Sequence, residues 1–92
     1  MALEKIVRKI PSSSWEITSE KLIDIVLNSP DAKKMPSGLA KTILYYWQRD
    51  QLATEIGLQR LLEASVMIDP DKTIAVLKEL GFEELVTVLE SS

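Results

Sequence analysis

Residues 37–49 read Ser37-Gly38-Leu39-Ala40-Lys41-Thr42-Ile43-Leu44-Tyr45-Tyr46-Trp47-Gln48-Arg49. Leu39, Ala40, Ile43, Leu44 and Trp47 recur at the one, three and four residue steps of a helix with one apolar stripe, and Ser37 stands where an N-cap belongs. Yet Ile43 to Trp47 is an unbroken apolar run, and at about 100° per residue such a run travels round the whole helix. A one-sided core cannot absorb it. The pattern therefore predicts a central helix wrapped by the others. The competing reading leaves Tyr45 and one of its neighbours exposed at an interface, where Tyr and Trp are common anchors.

Downstream, the polar residues Gln48-Arg49-Asp50-Gln51 interrupt the stripe, and helical spacing resumes at Leu52, Ile56, Leu58, Leu61, Leu62 and Val66. Two helices joined near Gln48–Gln51 fit better than one kinked helix over 38–67. Asp69-Pro70-Asp71 puts a capping acid before a proline at the first helical position, and Gly81 ends the next helix in a left-handed cap. Phe82, Leu85, Val86 and Leu89 form the last short helix. Upstream, Leu3, Ile6, Val7 and Ile10 mark a first helix stopped by Pro11 and Ser12–Ser14. Trp15 and Ile17 alternate with polar neighbours, which predicts a brief extended stretch before Thr18 or Ser19 caps a helix running to Asn28. Ser29-Pro30-Asp31 caps one turn over Ala32–Lys34, and Met35 before Pro36 must be extended. No strand-like alternation of useful length and no repeat occurs. The expected fold is all-α, a compact bundle of five or six short helices forming a single domain over residues 1–92, since 92 residues cannot house two cores.

The chain contains no His and no Cys. That removes the usual neutral-pH base, thiol catalysis, disulfides and zinc sites built on those ligands. The Ser-x-x-Lys spacing of a serine–lysine nucleophile is absent, and Ser29/Lys33 and Ser37/Lys41 read as caps beside surface lysines. Gly38, Gly57 and Gly81 lie too far apart for a phosphate loop. Asp69-x-Asp71 lacks the other ligands of a calcium loop and reads as a cap. Glu83 and Glu84 suit the positive end of a helix dipole. The sequence thus predicts no catalytic residues, no cofactor, no metal and no enzyme activity.

Charge is unevenly spread: residues 1–50 hold eight Lys/Arg against six Asp/Glu, and residues 51–92 hold three against eight. Between Asp31 and Asp50 there is no acid, only Lys33, Lys34, Lys41 and Arg49. With Tyr45, Tyr46 and Trp47 they make the expected interaction surface. The leading reading is a non-catalytic helical module whose partner is another protein or a second copy of itself. The alternative is a nucleic-acid-binding domain in which these cations meet phosphates and the aromatics stack on bases. A net charge of −3 weakens it. A helix-turn-helix over 19–28 and 38–48 is weakened by its eight-residue spacer, where three or four are usual.

No apolar run approaches the ~20 residues of a membrane span, and the N-terminal segment lacks the pattern of a secretory signal, so a cytoplasmic, intracellular protein with no membrane partner is expected. The scarcity of Gln, Asn, Cys and His beside abundant Lys and Glu is the bias of thermophile proteins. In size, charge and cysteine-free helical composition the chain resembles the small accessory subunits that accompany archaeal replication and transcription enzymes. The resemblance implies a role in stabilising a larger complex.

Overall fold

The computed structural model describes residues 3–90. Six helices follow one another: α1 (Leu3–Lys9), α2 (Trp15–Asn28), α3 (Ser37–Gln48), α4 (Glu55–Ile68), α5 (Pro70–Glu79) and α6 (Glu83–Glu90), with no strand among the described residues. The fold is the all-α bundle that the periodicity predicts.

The helix at the centre is α4, not α3. It packs against α1, α2, α3 and α5, while α6 closes the bundle against α5 and α1. The composition of α4 explains the choice: Gly57, Leu58, Leu61, Leu62, Ala64, Ser65 and Ile68 are all buried, so the helix is covered on several sides. Its one polar core hydroxyl, Ser65, donates to the Leu62 carbonyl and leaves no orphaned group. Gly57 lets the preceding loop come close, because a Cβ there would strike the Gln51 carbonyl oxygen. Leu52, expected in the helix, lies in this loop and is buried.

In contrast, among the described residues α3 packs on α4 alone and buries only Ile43. The apolar run is met by exposing it, not by wrapping it. Leu44 and Trp47, expected on the core stripe, stay about half exposed.

Local chemistry sets the ends. A 3-10 turn over Ser12–Ser14 leads straight into α2 at Trp15, so the expected extended stretch does not exist. Trp15 donates its indole N–H to the Ile10 carbonyl at 2.9 Å, tying α2 back to α1. Ser37 is the first residue of α3, not its cap; extended Pro36 precedes it and no side chain caps the helix. Thr54 caps α4 by accepting from the Gly57 N–H, and Asp69 caps α5 by accepting from the Lys72 N–H.

The helices α3 and α5 end alike. In α5 the Phe82 N–H donates to the Leu77 carbonyl and the Gly81 N–H to the Lys78 carbonyl, with Gly81 at φ 87°. In α3 the Gln51 N–H donates to Tyr46 and the Asp50 N–H to Trp47, with Asp50 at φ 55°. Both are the doubly bonded left-handed cap, and Asp is among the few residues that accept the position in place of Gly.

One exposed ion-pair network clips α1 to the start of α4. Arg8 donates from Nε to Glu55 at 2.8 Å and reaches Glu4 at 2.6 Å. The hydrogen bond to Glu55 and then the charge of Glu4 hold the guanidinium above its ordinary pKa.

Candidate interaction surface

Because α3 has one helical neighbour, its directions sort simply. Taking Ile43 as the inward direction and about 100° per residue, Leu39 and Tyr46 lean to one side, Ala40 and Trp47 to the other with Leu44 on the flank beyond them, and Lys41, Tyr45 and Gln48 point away from α4. Burial agrees: Leu44 is 47% exposed and Tyr45 51%, whereas Tyr46 is half-buried against the core.

The seven residues expected to form one surface divide into four places. Tyr45 and Arg49 form a unit on the outer face, with the Arg49 guanidinium 3.7 Å over the Tyr45 ring and its N–H donating to the Tyr45 carbonyl. Lys41 is exposed one turn before Tyr45. Tyr46 meets Tyr45 edge-to-face, with ring centroids 5.6 Å apart, and then turns into the groove between α3 and α4. Lys33 and Lys34 sit apart on the 3-10 turn before α3, where Lys34 pairs with Asp31. Trp47, 46% exposed, faces away from Tyr45 and lines a cleft toward α2.

That cleft is the feature the sequence concealed. It has a volume of about 300 Å³, and Glu16 and Glu20 of α2 line it together with Asp50, Trp47 and Leu52. None of the three carboxylates has an ion-pair partner among the described residues. The acids come from positions some thirty residues from Trp47 and from the turn after it, so no local spacing announces them.

On the opposite side, Leu39, Thr42 and Tyr46 of α3 face Ile56, Arg60, Glu63 and Met67 of α4 across a shallow groove of about 380 Å³. Ile56 and Met67 are half-exposed, and Arg60 and Glu63 pair with each other at 3.3 Å.

Among the described residues no cluster of acids is arranged to hold a metal ion, and no helix is long and apolar enough to cross a membrane. Comparison of the chain with protein families, characterised proteins and solved structures finds no match.

Proposed function

We propose that the protein is a non-catalytic helical module that binds another protein chain through the outer side of α3. The observation that carries this reading is the position of the helix: among the described residues it lies at the edge of the bundle, buries one residue, and leaves Leu44 and Tyr45 about half exposed on the side turned from α4. Clustered exposed apolar side chains rimmed by polar ones mark protein contact sites, and aromatic anchors with an adjacent Arg dominate the energetics of such contacts. A role as accessory subunit of a larger complex follows the same logic, since the module would add its edge to a partner lacking cover there.

The nucleic-acid reading is less well supported. Lys41 and the Tyr45–Arg49 pair suit a phosphate backbone, but the neighbouring Trp47 cleft is lined by three carboxylates that would repel one.

Affinity capture with the wild-type chain and with a Leu44→Ser, Tyr45→Ser variant, followed by quantitative mass spectrometry, tests the proposal. The reading expects proteins held by the wild type and lost with the variant while both melt alike. Identical captured sets, or saturable oligonucleotide binding that falls steeply with salt, would overturn it.

A further inference from the structure

The helices α2 and α3 both lie on α4, and among the described residues they make no contact with each other. A channel is left between them. Residues 29–36 join the end of α2 to the start of α3, and the end of α3 returns to the start of α2 at the Trp47 cleft, so the two walls run in opposite directions. On α2, Glu16, Glu20, Ile23 and Leu27 share the flank that carries the cleft, and on α3 the flank toward α2 holds Ala40, Leu44 and Trp47. Leu27 is 53% exposed, as open as Leu44 and Trp47, so both walls present apolar side chains to solvent. The channel is also polarised. At one end Glu16, Glu20 and Asp50 have no ion-pair partner among the described residues. Toward the other end lie Lys33, Lys34 and Lys41; Lys34 pairs with Asp31, and the other two have no ion-pair partner among the described residues.

We propose that this channel holds an amphipathic helix of a partner protein, its apolar stripe on Leu27, Leu44 and Trp47 and its N-terminal turn, bearing a Lys or Arg, at the acidic end. This rests on the reading of α3 as a binding edge and gives that edge an occupant. Two helices on a shared floor with apolar inner flanks have the form of a groove that accepts a third helix by anchors three and four residues apart. Charge complementarity then selects the occupant and its direction. A helix carries partial positive charge at its N-terminus and partial negative charge at its C-terminus, which matches carboxylates at one end of the channel and lysines toward the other. A first-turn cation beside the Trp47 ring adds a cation–π contact to its pairing with the carboxylates. A second copy of the chain does not supply such a helix among the described residues. The first turns of α1, α2, α4, α5 and α6 each contain an acid, and that of α3 contains no charged residue.

The test uses two fluorescent peptides of about 12 residues, enough to span the ~16 Å from Glu16 to Leu27 at ~1.5 Å per residue. Both carry the same leucine stripe and a staple on the polar side that keeps them helical. One has Lys in its first turn and Glu in its last, and the other has the reverse. Anisotropy titration should show saturable binding of the Lys-first peptide and at least ~10-fold weaker binding of the other. Leu27→Ser should weaken the Lys-first peptide at least ~10-fold, the loss of an anchor, whereas Tyr45→Ser, on the far side of α3, should leave it unchanged. Glu16→Lys with Glu20→Lys should invert the preference between the peptides. Circular dichroism melts establish that the variants fold, each altered side chain being exposed. Binding of neither peptide, equal binding of both, or a preference that the double charge reversal does not move overturns the channel as the site. Lys-first binding that is lost with Tyr45→Ser and kept with Leu27→Ser overturns it too, while leaving α3 as a binding edge. Loss of captured proteins on changing Leu44 and Tyr45 is read separately, so an empty channel and a non-binding α3 are told apart.

Discussion

Gly38 and Gly57 both sit within helices, yet they answer to opposite demands. A Cβ at Gly38 would meet nothing within 4 Å, and its φ is ordinary, so Gly38→Ala should stabilise the protein by roughly 0.5–1 kcal/mol through helix propensity. A Cβ at Gly57 would collide with backbone at Gln51, so Gly57→Ala should cost about 1–3 kcal/mol. Urea unfolding of the two variants checks both signs, and a loss at Gly38 equal to that at Gly57 would contradict the packing described. Trp47 lies between such extremes. A central tryptophan would lose about 3–5 kcal/mol on truncation, but a half-exposed one should lose about 1–2 kcal/mol. A Trp47→Ala chain unfolded at room temperature would restore the central-helix reading of α3.

At the scale of elements, caps were more legible than burial. Asp69-Pro70 and Gly81 are local signals, because a side-chain cap and a left-handed glycine act within a few residues of the helix they bound. Asp69→Ala should accordingly lower stability by about 1 kcal/mol, visible as a shift in melting temperature. A melting curve that does not move would mean that the proline alone starts α5. The Ser37 cap and the extended stretch at Trp15 failed for a related reason. Pro36 already supplies the turn into α3, and the Trp15–Ile10 hydrogen bond favours a helical start over an extended one. Burial could not be read so locally. Both α3 and α4 are rich in apolar residues, and only the tertiary arrangement shows that α4 has four helical neighbours and α3 one. The difference should appear in native-state hydrogen exchange, with α4 amides among the slowest and α3 amides opening first. Equal protection in the two helices would contradict it.

At the scale of the molecule, the six helices of the described residues share one core, with α1, α2, α4 and α6 supplying most of its buried side chains. The Glu16–Glu20–Asp50 cleft belongs to this scale: α2 and the turn after α3 form it only once both have packed around α4. Sequence spacing therefore revealed the aromatic anchors and the cations but not the acids that face Trp47. The apolar residues divide into those that hold the core and those left over at the edge of α3. Urea unfolding of a Leu44→Ser, Tyr45→Ser variant beside Leu62→Ala, at dilutions where the chain is monomeric, tests that division most directly. Leu62 is fully buried in α4, and its truncation should cost about 2–5 kcal/mol, whereas the α3 variant should lose no more than about 0.5 kcal/mol per site. If the α3 variant is destabilised as severely as Leu62→Ala, the outer side of α3 is part of the folding core and is not a surface kept for a partner.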